Sequence, residues 1–350
     1  VATFLFAFFL VASFGTSSEA KNIKQDFEQA KNNFLKKEWV KAENQFLSIQ
    51  KLYPHSNEDK RSRFLLALLY MESNKNKQAI DILTPLIEIY PEIEDYILLN
   101  LAKAELKEKS FKKARNHILR LLKIFPETQL YPEAQIILSE THSQTNAESK
   151  AIAIFQETIT FLGNSSHHKF FQSYIPEVVF KLAKNQVKLG KKSEAYINYR
   201  QLYIKYPNHK LTSDAETAIK KLVESQGIKE IPLSLLEHTE RIEQLFKGTR
   251  YKEIITEINQ IKKVINPMPG RFYFFLSNAY RGLRDRKKAN IALKEFSKLY
   301  PQHLQIEKAK FNIGRNLWNL GKPLAGAKYF KEVTKKNPST EEAIKALFFL

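Results

Sequence analysis

Apolar residues recur along the chain with the three-and-four-residue spacing of an amphipathic helix, and most of the 13 prolines fall between these periodic stretches. With only 10 glycines as well, long helices joined by short turns suit the chain better than a β-rich fold, which needs more turn residues. The pairs Ala42 and Phe46, Ala79 and Leu83, Ala114 and Ile118, and Ala195 and Tyr199 each place a small residue one turn before a large apolar one, on one helix face.

These pairs belong to an internal repeat. Tyr-Pro or Phe-Pro stands at Tyr53-Pro54, Tyr90-Pro91, Phe125-Pro126, Tyr206-Pro207 and Tyr300-Pro301, with Asn337-Pro338 as a variant. Pro54 to Pro91, Pro91 to Pro126 and Pro301 to Pro338 are steps of 37, 35 and 37 residues. Twelve residues before each proline comes a small residue, the series continuing with Ala289 and Gly326, and Leu293 and Phe330 follow these by four. Twelve residues further back stand Ala67, Ala102, Ala183, Ser277 and Gly314. Each period therefore reads as two antiparallel helices. The small residues let the helices approach, the large residue fills the adjacent gap, and proline ends the pair. The expected fold is all-α: a right-handed α-solenoid of tetratricopeptide-like helix-turn-helix repeats, curved or U-shaped. Val179 to Pro207 is the most complete unit.

Other units are degenerate. Ala151 and Phe155 mark one that ends at Gly163-Asn164, and Tyr251 to Ile261 marks another with Glu253 in the small position. Pro85 falls inside a second helix and is expected to kink it. A longer connection covers 164–174, and a helix outside the period, 211–225, precedes a loop at 226–232. That loop divides the expected organisation: a signal peptide at 1–20, a superhelical arm at 21–226 and a second arm at 227–350.

Val1 to Phe14 is an uncharged, apolar and aromatic run followed by small polar residues through Ala20. It reads as the apolar region of a signal peptide, with Ser18 and Ala20 at the cleavage site. A retained membrane anchor is the other reading, but the run is shorter than the roughly 18 to 20 residues that span a bilayer. The chain starts without Met or a basic leader, and the helix opened by Pro338 to Glu342 stops uncapped at Leu350, so further residues are expected at both ends. The mature protein is expected in the periplasm, without stable membrane insertion after signal cleavage. With no cysteine, it has no lipid-accepting thiol, disulfide or thiolate metal site.

Lys and Arg total 56 against 37 Asp and Glu, a net charge of +19, which attracts polyanions. Nucleic acid, anionic lipid and a carboxylate-bearing wall polymer all fit. Most basic residues are interleaved with acids and read as solvated surface.

The chain contains no Gly-rich phosphate loop, no His-Glu-x-x-His and no Gly-x-Ser-x-Gly. The adjacent His167 and His168 read as a solvated loop rather than a metal site. Phe272-Tyr273-Phe274-Phe275 could stack on sugar, but its place in the repeat favours core. Lys191-Lys192 and Lys287-Lys288 read as solvated turns between helices. No catalytic, cofactor-binding or metal-ligating residue is assigned.

The 35 to 37 residue period, the Tyr-Pro ends, the extra helix and loop near 211–232, and a cleavable signal without a lipidated cysteine together resemble the N-terminal superhelical region of bacterial soluble lytic murein transglycosylases. The resemblance covers nearly the whole mature chain. It implies a solenoid closing into a U or ring, followed by a lysozyme-like domain whose single Glu cleaves the glycan. That family's Glu-Ser signature continues with an aromatic residue and a Gly-rich stretch. Glu72-Ser73, Glu148-Ser149 and Glu224-Ser225 all lack the continuation. No catalytic residue is carried over, and any catalysis is expected in a domain beyond Leu350. The implied function is a periplasmic scaffold that positions peptidoglycan for that domain. The alternative is a non-enzymatic periplasmic adaptor that binds envelope proteins in its groove. An RNA-binding helical-repeat protein is a third reading, suggested by the charge. Export and the lack of a recurrent polar pair at the repeat ends weigh against it, and no nucleic-acid partner is expected.

Overall fold

The computed structural model describes residues 18–164, 169–336 and 338–350, and among these every regular element is helical. Residues 1–17, which include the apolar run Val1 to Phe14, the pair His167 and His168, and Asn337 lie outside the described residues.

The chain forms two compact units that divide between Lys191 and Lys192. The first holds α1 (Ser18–Leu35), α2 (Trp39–Leu52), α3 (Asn57–Glu72), α4 (Asn76–Ile89), α5 (Glu94–Lys107), α6 (Phe111–Ile124), α7 (Tyr131–Ser143), α8 (Glu148–Asn164), the short α9 (Lys169–Gln172) and α10 (Ile175–Lys188). Helices α1 to α8 pack on their neighbours in chain order, and α10 packs on α8. The second holds α11 (Lys192–Lys205), α12 (Thr212–Gln226), α13 (Leu235–Lys247), α14 (Tyr251–Val264), α15 (Gly270–Gly282), α16 (Arg286–Leu299), α17 (Ile306–Trp318), α18 (Pro323–Lys336) and α19 (Glu341–Leu347). Here α11 packs on α12 and α13, and from α13 to α19 each helix packs on the next. Packing between sequence neighbours is what defines a helical solenoid.

One turn geometry recurs. Each connection from a first to a second helix contains a single residue in the left-handed region: Lys37, Asn74, Lys109, Asn146, Gly190, Thr249, Arg284 and Gly321, with φ between 55° and 79°. The next N–H donates to the carbonyl five residues before it at 2.7 to 3.0 Å, as Lys75 does to Tyr70. This is the bond that closes a helix end when the chain reverses through a left-handed residue.

Five residues after each left-handed residue lies the inter-helix seam. Ala42, Ala79, Ala114, Ala151, Ala195, Ala289 and Gly326 are buried there. The large partners one turn on, including Phe46, Leu83, Ile118, Phe155, Leu293 and Phe330, are fully buried. The seam corrects one assignment. In α14 the buried face is Ile254, Ile258 and Ile261, so Ile254 rather than Glu253 occupies the small position, five residues after Thr249. Its counterpart twelve residues earlier is the buried Ile242. Both positions are large in this pair and belong to one buried cluster, which removes the small-residue signal from the sequence.

Pro85 lies within α4, and α12 is the helix expected outside the period. The loop at 227–234, where the sequence places the boundary between arms, lies within the second unit. It is tied to α11: Ile231 N–H donates to the Tyr196 hydroxyl at 2.9 Å and Arg200 to the Pro232 carbonyl at 3.0 Å. Ser234 then caps α13 in a reciprocal box with Glu237. A buried charge cluster supports the same region. His238 Nδ1 and Arg241 Nε meet the buried Glu257 carboxylate at 2.6 and 3.3 Å, and the Arg241 guanidinium lies 3.6 Å from the Tyr203 ring centre. Each charge there has a partner, the condition under which buried charges are tolerated.

Candidate functional site

Two grooves of different chemistry stand out, one in each unit. The first, of about 320 Å³, is lined by the first helices of successive pairs in unit 1. On α1 the residues Phe27, Lys31 and Phe34 share a face at helical spacing, and α3 contributes Phe64, Leu68 and Met71. Tyr96 and Leu99 of α5 complete the apolar floor. Leu68, Met71 and Tyr96 are only partly buried, so these three present apolar surface to solvent, while Phe27, Phe34, Phe64 and Leu99 are buried beneath them. The basic residues of the rim are each paired with an acid. Lys31 pairs with Glu28, Lys103 with Glu133 at 2.8 Å, and Arg61 with Glu58 at 3.9 Å. A groove of this kind gains free energy mainly by covering apolar surface.

The second is a face of unit 2 built from α15, α17 and α19, with adjoining cavities of about 430 and 510 Å³ that share Phe275, Asn278 and Arg281. Along α15 run Arg271, Phe275, Asn278 and Arg281; along α17 run Lys308, Phe311, Asn312 and Arg315. Both sets follow helical spacing and so form two parallel stripes. Arg286 joins from the start of α16. Among the described residues no carboxylate pairs with Arg271, Arg281, Arg286 or Arg315. Arg315 donates to Asn312 at 3.1 Å, and Arg271 reaches Thr239 at 3.4 Å. Burial first, then the neighbouring Arg315 and Arg286, hold Arg281 below the usual guanidinium basicity, and burial does the same to Arg315.

The residues singled out in the sequence fall mostly elsewhere. Phe272 and Tyr273 are fully buried core, whereas Phe274 and Phe275 are half-buried and line the basic face. Lys287 and Lys288 are exposed, and Lys288 pairs with Asp285 at 3.3 Å. Glu72 lines the apolar groove at the end of α3, and Ser73 caps that helix. The arginine face escaped notice although a signal existed: the pattern Asn-x-x-Arg occurs at Asn278 to Arg281 and again 34 residues on at Asn312 to Arg315. Among the described residues no three His, Asp or Glu side chains gather as a metal site, and no helix is long and apolar enough to cross a membrane.

The family model for the tetratricopeptide repeat matches residues 61–92 and 177–209. No curated protein matches the chain. Among solved structures, the apo form of RapI is similar with a TM-score of 0.51 at 12% identity, covering 79% of this chain and 99% of that one. A tetratricopeptide repeat protein from Parabacteroides merdae ATCC 43184 is similar with a TM-score of 0.43 at 13% identity, covering 85% of this chain and 99% of that one. Pseudomonas aeruginosa pilF has a TM-score of 0.40 at 12% identity, covering 83% of this chain and 98% of that one. With two repeat matches along the chain and the helix-turn-helix seam described above, this is a tetratricopeptide-like repeat protein with a helical-solenoid fold.

Proposed function

We propose that the chain is a non-enzymatic adaptor that binds a polypeptide segment in the groove of unit 1, after export to the periplasm. The observation that carries this reading is the composition of that groove: partly exposed Leu68, Met71 and Tyr96 over the buried Phe27, Phe34 and Phe64, beside Lys31, Arg61 and Lys103, each paired with an acid. Apolar side chains of a peptide gain most there, about 1.5 to 3 kcal/mol for each large one fully covered. A wall glycan is polyhydroxylated and calls for open hydrogen-bonding groups, which this floor supplies sparsely. The two matched repeats support a protein-binding scaffold, because stacked repeats of this kind offer extended binding surfaces. Export draws on the apolar run Val1 to Phe14 and the small residues after it.

Co-sedimentation with purified peptidoglycan sacculi separates this reading from a wall-positioning scaffold. The adaptor stays in the supernatant at low salt. Salt-sensitive sedimentation with the sacculi supports the scaffold instead. For export, alkaline phosphatase fused behind residue 20 is active on the adaptor reading and inactive if the leader is not exported.

A further inference from the structure

We propose that the outward face of α14, α16 and α18 in unit 2 docks on a membrane surface that bears anionic phospholipid, its lysines meeting lipid phosphates and its exposed aliphatic side chains entering the headgroup layer. The inference does not rest on the groove of unit 1, and it uses neither the residues of that groove nor those of the arginine face on α15 and α17.

These three are the second helices of successive pairs, and they repeat one register. Their seam residues are Ile254, Ala289 and Gly326. The positions two before each seam residue and two, five and nine after it are exposed in all three helices. In α14 they are Lys252, Thr256, Asn259 and Lys263; in α16, Lys287, Ile291, Lys294 and Lys298; in α18, Leu324, Lys328, Lys331 and Lys335. These twelve positions hold eight lysines and no acid. The same positions of α2, α4, α6 and α8 in unit 1 hold Lys51, Lys77, Lys112 and Lys123 together with Asp81 and Glu88, so the surplus belongs to this face and not to the repeat. Lys262 of α14 bonds Glu295 of α16 at 2.7 Å, which sets the first two helices side by side.

Packing within the chain does not account for the surplus. Every acid on the three helices is held by a cation outside the array: Glu253 by Arg250, Glu257 by His238 and Arg241, Glu295 by Lys262, and Glu332 by Lys310. The neighbouring Lys288 and Lys336 pair with Asp285 and Glu307, whereas among the described residues none of the eight array lysines forms an ion pair. Like charges one turn apart, as Lys294 and Lys298 are, weaken a helix slightly rather than hold it. A cluster of about four to eight basic side chains is what an anionic leaflet attracts, within a Debye length of its surface.

The uncharged members of the face favour a bilayer over nucleic acid or a wall polymer. Ile291 is 64% exposed and Leu324 85% exposed among the lysines, and Val264, beside Lys263, is 84% exposed. Aliphatic side chains gain free energy on entering the headgroup and acyl boundary, and this adds to the attraction between lysine and phosphate. Lysine stems lie along apolar material while the ammonium stays at the level of the headgroups. The twelve positions include no arginine and no aromatic residue, the groups that read base edges and stack on unpaired bases.

The test is co-sedimentation of the full chain with vesicles of phosphatidylcholine alone and of phosphatidylcholine mixed with phosphatidylglycerol. Phosphatidylglycerol should raise binding at low salt, and added salt should reduce the gain. The triple variant Lys294→Gln, Lys298→Gln, Lys331→Gln should lose about fivefold for each lysine, about a hundredfold in all. The matched variant Lys51→Gln, Lys112→Gln, Lys123→Gln in unit 1 removes the same charge and should bind as the parent does. Ile291→Ser with Leu324→Ser removes no charge and should weaken binding about tenfold or more. All these side chains are exposed, so the thermal midpoints should stay level. The apolar run Val1 to Phe14 is common to every variant, so differences among them report the face alone. Leu68→Glu in unit 1 should leave vesicle binding unchanged, so failure here and failure of the apolar groove are read separately. No gain from phosphatidylglycerol, equal losses in the two lysine variants, parental binding by the aliphatic variant, or loss of the gain when oligouridylate or purified sacculi are added would each overturn the proposal.

Discussion

Gly326 of α18 rests against the carbonyl oxygen of Gly314 in α17: a Cβ added at Gly326 would stand 2.8 Å from it. A Cβ on Gly314 would in turn meet the Phe330 ring at 2.7 Å. The two helix backbones are in contact because both seam positions lack a side chain. Helix propensity alone favours alanine over glycine by about 1 kcal/mol. Overpacking a closed seam costs about 1 to 3 kcal/mol, so the steric effect wins. Gly326→Ala should therefore lower the denaturation midpoint. Gly163→Ala in α8, where nothing lies within 4 Å of the added methyl, should not lower it. The same seam in α11 predicts that Ala195→Leu costs about 1 to 3 kcal/mol while Lys192→Leu is nearly neutral. Equal midpoints for that pair of variants would refute the register.

Thr249 occupies the left-handed turn position at φ 55°, where the equivalent residues Gly190 and Gly321 are glycine. A β-branched residue is the least suited to that region, at a cost of about 1 to 2 kcal/mol. Thr249→Gly should raise stability by about 1 kcal/mol, and Gly190→Ala should lower it by a similar amount. Chemical denaturation of the two variants checks both signs. A lower midpoint for Thr249→Gly would mean that its side chain holds the turn.

Arg200 links α11 to the capping box of α13 by donating to Glu237, one of these bonds at 3.0 Å. That bond, with further help from Ser234, brings the Glu237 carboxyl down to about 2 from an ordinary 4.5. A depressed acid stabilises the fold above its unfolded value and loses that contribution as pH falls through the folded one. Glu237→Gln should thus be less stable than the parent near neutral pH. The gap should shrink between about pH 4.5 and about pH 2, where both forms carry a neutral group. Thermal midpoints across that range provide the check, and a constant gap would assign the effect to packing.

The helix pairs were legible because their signals are local: a small residue, a large one four positions on, and a proline that ends the pair. Where Ile242 and Ile254 replace the small residues, the pattern vanished although the backbone kept it. The loop expected at 226–232 follows a helix outside the period and so reads as the boundary between two arms. The bonds that fix it to Tyr196 and Arg200 join residues about 35 apart and leave no local trace. Both candidate faces were hidden for the same reason. Phe27, Leu68 and Leu99 are unremarkable within their own helices, and only the stacking of α1, α3 and α5 makes them one surface. Arg281 and Arg315 looked like two more solvated charges in a basic chain, because ion pairs formed elsewhere become visible only in three dimensions.

The most direct test of the adaptor reading is a titration of the full chain into a labelled amphipathic peptide of leucine and lysine at helical spacing, followed by anisotropy. Covering one large apolar side chain contributes about 1.5 to 3 kcal/mol, which corresponds to a tenfold or larger change in affinity. Leu68→Glu and Met71→Glu should each weaken binding by at least that factor without lowering the thermal midpoint enough to unfold the chain. Leu304→Glu, at a position 99% exposed and outside the groove, should leave the affinity unchanged. Equal affinity in all four proteins, or no binding by the parent chain, would contradict the claim that the groove of unit 1 receives a polypeptide.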